Sequence, residues 1–317
     1  IAIGADLGTL SGNTSVAATT GRVSFSGVSL AATAGTRTIT YSSPGLTSAT
    51  QNLSLTFGAA SKLALTTPVA GFVNRTNFTT QPVVEIQDAQ GNRVTSATDT
   101  VTVAIDSGNL TGTVTANASA GVATFSGLGK NGLVGLKTLT FSATGLTSAT
   151  QQFTLTPGAI NQLSISSPNS VQSGVVWSTQ PVVTIQDTDG NTVTSSTASI
   201  TLSSGDSTIG GTVTMNAVAG VADFVGKGIK FTGTAGVRTL TATGASQSAS
   251  QFVTVTFGVA SKLAITTPAA GFVNRAAFST QPIIEVQDES GNRVADATTS
   301  IVVTASAGNG ATLSGTT

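Results

Sequence analysis

Apolar and polar residues alternate along most of this chain. In KLALTT (62–67), TVTVAID (100–106), VATFSG (122–127), KTLTFSAT (137–144) and QQFTLT (151–156), apolar residues recur at every second position. A period of two sends successive side chains to opposite faces of a strand, whereas an amphipathic helix needs a period near 3.6. No ten-residue stretch carries the helical period, and clusters of Gly, Pro and Asn cut the chain into short pieces. The pattern predicts an all-β protein made of many short strands.

The alternation is itself repeated. GAASKLALTTPVAGFVNR begins at Gly58, GAINQLSISSPNSVQSG at Gly158 and GVASKLAITTPAAGFVNR at Gly258, a spacing of 100 residues. GLTSATQ at 45–51 returns at 145–151 and, altered, as GASQSASQ at 244–251, and TRTITY (36–41) answers LKTLTF (136–141). The echo divides the chain into whole units at 58–157 and 158–257, a C-terminal partial unit at 1–57 and an N-terminal partial unit at 258–317. Seven or eight short strands per hundred residues, with turn signals between them, predict an immunoglobulin-like β-sandwich in each unit, with a closed barrel as the weaker alternative. Only about three residues separate the last strand of one unit from the first of the next, in TFGAASKL, TPGAINQL and TFGVASKL. Such joints are unlike a flexible Gly/Ser linker, so neighbouring units are expected to touch in an extended array. The closing TLSGTT (312–317) duplicates TLSGNT near the start, which favours a window on a longer array over completion of one chain's end by another's beginning.

Large side chains keep step with the period. Phe25, Phe125 and Phe224 align, as do Phe78, Trp177 and Phe278, and Tyr41 and Phe141. Alternation places them on buried faces, where each removes apolar area from water at about 25 cal/mol per Å². They are expected to fill cores rather than form a sugar-stacking platform.

Composition narrows the chemistry. Charged residues make up 8% of the chain and the 13 basic and 13 acidic side chains cancel, so no basic field exists to hold nucleic acid. There is neither His nor Cys, which removes imidazole bases, thiolate nucleophiles and the usual zinc sites. No apolar run is long enough to cross a bilayer. The few Asp and Glu are scattered over turns and strand edges without assembling an acid–base pair, so enzyme activity is not expected.

The oxygen-rich loop QDAQGN (87–92), repeated as QDTDGN (186–191) and QDESGN (287–292), is the one constellation that could carry chemistry. Read as a turn, it lets Asp88 accept the amides ahead of it, puts Gly91 in the left-handed region and pairs Ile86 with Val94. Glu85 then lies diagonal to Arg93, and Thr184 and Thr192 replace both together, as a cross-strand surface pair would. The rival is weak calcium binding, with Asp187, Asp189 and Asn191 offering oxygens at alternate positions, although the Glu that closes an EF-hand loop is missing. The turn is the favoured reading, and no cofactor other than calcium is in question. Sequons at Asn13, Asn52, Asn74, Asn77, Asn109 and Asn117 are weak signals in so Ser- and Thr-rich a chain. Lys62 and Lys262 could suggest an intramolecular isopeptide bond, but Gln162 holds the same place, and a solvated edge lysine is the simpler reading.

Taken together, GAASKLALTTP, FTTQPVVEIQDAQGNRVT, VTVAI, GVATFSGL and GLKTLTFSATGLTSATQQFTL resemble the tandem bacterial immunoglobulin-like domains of very large cell-surface and extracellular proteins, and the stalk domains of intimin and invasin are similar in outline. The resemblance runs through essentially the whole chain, but its motifs are turns and core positions that mark a fold rather than an activity. It implies stalks, fibres and adhesins outside the cell, with no catalytic residue to carry over. The chain departs from lectin-tipped adhesins in having no cysteine-bearing tip. The expected function is a structural segment of an extracellular rod or filament whose partners are adjacent repeats or copies of itself. The alternatives are a binding module for a host, neighbouring cell or glycan, using loops such as KGIKFTGTAG (227–236) with Lys230 and the unmatched Phe231, or a phage appendage domain.

Overall fold

A computed structural model describes residues 1–304 and Leu313; the TLSGTT echo otherwise lies outside the described residues. The described residues contain strands and turns and no helix. They form two compact units, Ile1–Gly158 and Ala159–Thr317.

Within the first unit, the residues from Lys62 to Leu155 build nine strands. One sheet has the order Val122–Thr124, Val83–Gln87, Lys62–Thr67; the other has the order Thr115–Asn117, Thr100–Ile105, Gly135–Ser142, Ala149–Leu155. A short pair, Asn109–Thr111 with Gly129–Asn131, stands apart, and all these pairings are antiparallel. The alternation decides which faces meet. Leu63, Val84, Ile86 and Ala123 from one sheet and Val101, Val103, Leu139, Phe141, Phe153 and Leu155 from the other share a single buried cluster. The arrangement is a two-sheet sandwich rather than a closed barrel, and its strand number exceeds the sequence expectation because three-residue strands flank the loops.

The hairpin leading into Val122–Thr124 shows how local chemistry sets the register. Ala120 (φ 49°) and Gly121 (φ 75°) are successive left-handed residues, and the Ser119 and Val122 backbones exchange hydrogen bonds around them. This is the turn geometry whose twist matches that of the strands it joins. A Cβ on Gly121 would lie 2.4 Å from the Val94 carbonyl oxygen, so the position needs glycine.

The second unit builds the same plan between Gln162 and Thr256. A three-stranded sheet (Gln162–Ser166, Val182–Gln186, Val221–Asp223) faces a five-stranded one (Ser170–Gln172, Gln247–Thr256, Gly236–Gly244, Ser199–Ser203, Thr214–Asn216). Ser170–Gln172 runs parallel to Gln247–Thr256 because the chain crosses to the opposite sheet after its first strand. In the first unit the same crossing leaves an isolated parallel bridge from Val73 to Thr156. Trp177, Ile185, Leu202, Phe224, Phe231 and Leu240 are among the residues of its buried cluster.

The flanking segments are barer. Residues 2–55 form a three-stranded sheet, Ala2–Ala5, Gly35–Ser42 and Ala49–Leu55, beside the pair Thr9–Ser11 and Ser29–Ala31. Ala260–Thr267 pairs with Ile283–Asp288 in a two-stranded sheet. Phe78, Phe125, Phe141, Trp177 and Phe224 are buried, as the alternation predicts. Phe25, Tyr41 and Phe278, their counterparts in the flanking segments, are half-buried.

Candidate functional site

The D-x-x-G-N loop joins two strand ends and reaches beyond them. Gly91 is left-handed at φ 88°, as are Gly190 and Gly291 at 80° and 88°. The Asp88 amide donates to the Asn92 carbonyl, and Val94 N–H donates to Ile86 O, as the turn reading requires. Arg93 and Glu85 approach to 3.7 Å across the outer face. That exposed pair is worth a few tenths of a kcal/mol at most.

The buried Asp88 carboxylate is where the loop is tied. Its Oδ1 accepts the amides of Gln90 (3.0 Å) and Asn92 (2.8 Å). Its Oδ2 accepts the amide of Gly58 (2.7 Å), in the connection from the preceding strand, and the side-chain Nδ2 of Asn92 (2.8 Å). Burial pushes the Asp88 carboxyl upward, but hydrogen bonds from the Asn92 side chain and from the Gly58, Asn92 and Gln90 backbones outweigh it and bring its pKa from 3.8 to about 2. Donors bound to the charged form favour that form.

Asn92 carries the loop's reach. Its Oδ1 accepts the Ala34 amide at 2.6 Å and its Nδ2 donates to the Ala32 carbonyl at 3.3 Å. The carboxamide thus matches one N–H and one C=O of the connection that precedes the strand Gly35–Ser42. Asp88 turns the same side chain toward that connection, so a single Asp–Asn pair both closes the turn and clasps a neighbouring segment.

The second unit repeats the device. Asp288 Oδ2 accepts Gly258 N–H at 2.6 Å and Asn292 Nδ2 at 2.8 Å, and Oδ1 accepts the Asn292 amide at 2.8 Å. Asn292 accepts from Ala235 N–H at 2.6 Å and donates to the Gly233 carbonyl at 2.9 Å. Against the upward push of burial, the bonds from Asn292, Gly258 and Ser290 hold the Asp288 carboxyl below its ordinary value. Ser290 adds a grip missing at Gln90, since its hydroxyl accepts Gly233 N–H at 3.2 Å.

The calcium candidates sit in the third copy of the loop. Asp187 Oδ1 accepts the amides of Asp189 (2.9 Å) and Asn191 (3.0 Å), and both carboxylate oxygens take bonds from Asn191 Nδ2. This ring presents N–H donors around a carboxylate rather than converging oxygens around a cation. Among the described residues no group of three or more acidic side chains comes together to hold a metal.

Other residues singled out by the sequence find different places. Lys62 Nζ donates to the Ala89 carbonyl at 3.4 Å and Lys262 Nζ to Glu289 O at 3.0 Å, each lysine leaning over its loop from the first strand. Asn74 is buried and accepts Gly132 N–H at 3.0 Å, whereas the other five sequon asparagines are exposed. Phe231, expected on a ligand-facing loop, is instead fully buried. Its ring meets Trp177 edge-on at 5.0 Å. The strand registers explain this: Phe231 pairs with Ile209 as Lys130 pairs with Leu110, so an insertion near Val225 shifts the apparent alignment and Phe231 occupies an inward position.

Sequence reasoning did not foresee Asn92 and Asn292 as bridging residues, nor Gln81 and Gln180. Gln81 donates to Phe78 O and Leu128 O and accepts Leu128 N–H, and Gln180 does the same with Trp177 and Ile229. The recurring TQP triplet was the available signal.

No family model matches the chain, and no curated protein matches it. Among solved structures it is similar to Yersinia pseudotuberculosis InvD, at 19% identity over 72% of this chain and 71% of that one, with a TM-score of 0.36. It is also similar to invasin, described as a bacterial integrin-binding protein, at 18% identity over 74% of this chain and 48% of that one, TM-score 0.31. A Parabacteroides merdae β-glucuronidase matches at 16% identity over 38% of this chain, which spans 16% of the enzyme's length, TM-score 0.25. Function does not pass across likenesses of this order.

Proposed function

We propose that the chain is a non-catalytic structural segment of an extracellular or cell-surface rod, built from serial immunoglobulin-like sandwiches bounded at residues 58, 158 and 258 and giving reach and tensile resistance. The observation that supports this reading is the Asp–Asn clasp, formed alike by Asp88 with Asn92 and by Asp288 with Asn292, each tied to the connection before a preceding strand. A joint fixed by several hydrogen bonds, among them the charge-assisted ones from Gly58 N–H to Asp88 and from Gly258 N–H to Asp288, restricts bending in a way that a solvated linker cannot. The partners in this reading are adjacent repeats. Among the described residues no helix is long and apolar enough to cross a membrane.

A second reading, a binding module for a cell-surface ligand, draws support from Phe252, which is 73% exposed on the strand Gln247–Thr256. An isolated ring of this kind suits a contact point more than a core.

Small-angle scattering tests the main reading. A compact globule of this length has a radius of gyration of about 20 Å, and the rod reading expects a clearly larger value that spreads to a broader distribution in Asn92→Ala/Asn292→Ala. A value near the compact figure, or a wild-type profile unmoved by the double substitution, overturns it.

A further inference from the structure

The clasp has two sides, and the side that receives Asn92 is built by an arginine. Arg37 folds back over its own connection: Nε donates to Thr33 O at 3.0 Å, Nη2 donates to Thr33 O and Oγ1, and Nη2 reaches Ala34 O at 3.4 Å. Arg238 does the same, with Nε to Thr234 O at 3.2 Å, Nη2 to Thr234 O at 2.6 Å and to Thr234 Oγ1, and Nη2 to Ala235 O at 3.3 Å. Both connections read T-A-G-x-R, and the glycines Gly35 and Gly236 have φ 132° and 136°. With its inner carbonyls held by one planar guanidinium, each connection turns one N–H and one C=O outward. Ala34 N–H and Ala32 O meet Asn92, and Ala235 N–H and Gly233 O meet Asn292.

The slot is not filled alike throughout. Where the sequence has Arg37 and Arg238 it also has Lys137, whose Nζ donates to Ser107 Oγ at 3.0 Å within its own segment. A single ammonium cannot reproduce the forked grip of a guanidinium on successive carbonyls.

We propose that Arg37 and Arg238 are positioning residues that shape T-A-G-x-R into a socket, and that the partner fitting this socket is the D-x-x-G-N loop of the following segment. The socket specifies the carboxamide: an aspartate in place of Asn92 would lose the donor to Ala32 O and bring a charge against that carbonyl. Arg37 therefore acts on the junction through its own loop, without touching Asn92. This inference rests on the reading of the clasp as a junction device.

Residue-resolved amide exchange of the full chain tests it. Arg37→Ala is expected to speed exchange of the Ala34 amide by roughly tenfold, the loss of one hydrogen bond of ordinary net worth. Asn92→Ala does the same, and the double variant exchanges no faster than Asn92→Ala alone. Arg37→Lys fails to restore protection, and Lys137→Ala leaves Ala34 unchanged. Unaltered protection of Ala34 in Arg37→Ala overturns the proposal, as do additive effects of the two substitutions. Scattering on Asn92→Ala separates the two ideas: an unmoved profile defeats the stiff-joint reading, while the exchange data judge the socket by themselves.

Discussion

Residues 61–67 and 261–267 read SKLALTT and SKLAITT, yet the two strands differ in exposure among the described residues. Leu63 is 5% exposed and Leu263 is 57% exposed. Both strands pair with the same kind of partner, Val83–Gln87 in one case and Ile283–Asp288 in the other. What differs is the layer above. Leu63 shares a buried cluster with Val101, Leu139 and Phe153 of the other sheet, whereas among the described residues Leu263 belongs to no buried cluster. Alternation tells which face is apolar; only an opposing sheet removes that face from water.

The largest effect is expected at Phe141, which is fully buried and packs edge-on against Phe125 at 5.7 Å. Phe141→Ala should cost about 3–5 kcal/mol, read as lost exchange protection of Leu139, because transfer and cavity terms add. Phe278→Ala, on a half-buried ring packed on Phe272, should cost less than about 1 kcal/mol by the same accounting. Equal losses would show that the two regions are packed alike.

Leu63→Ala should destabilise its sandwich by about 2–4 kcal/mol, and Leu263→Ala by well under about 1 kcal/mol. Chemical denaturation followed segment by segment decides the matter.

Asp88→Ala sharpens the contrast between core and clasp. It leaves the Gly58, Gln90 and Asn92 amides without their acceptor and should cost about 2 kcal/mol at the loop with little effect on the Phe141 core. The same group supplies a pH test. Its folded pKa of about 2 lies below its ordinary 3.8, so the charged form stabilises the clasp fully above pH 4. That stabilisation is lost as the pH falls from about 4 toward about 2. Protection of Ala34 should fade over this window, and Asp88→Asn should abolish the dependence. Smallest of all, Arg93→Ala should change stability by no more than a few tenths of a kcal/mol, since its partner Glu85 lies on a solvated face.

Much of the architecture was legible in the chain. Period-two alternation, the hundred-residue echo and the aligned aromatics pointed to strands, to the inward faces and to Phe125, Trp177 and Phe224 as core. The turn at Asp88 was also legible, because Asp and Gly each have one local reason to stand where they do. The role of Asn92 was not, because its partners Ala32 and Ala34 are backbone groups about sixty residues away, and any residue type offers those. Phe231 was misread for a different reason: a short insertion near Val225 hid its equivalence to Lys130, which only strand register reveals.

The bond from Gly58 N–H to Asp88 has a mechanical corollary. Tension entering along Ala49–Leu55 arrives at Gly58 before it reaches the ladder of Lys62–Thr67, so the clasp is strained first, while the interleaved strands behind it are still at rest. A chain stretched at its two ends is expected to give first at the hydrogen bonds of such a tie, ahead of the strand ladders.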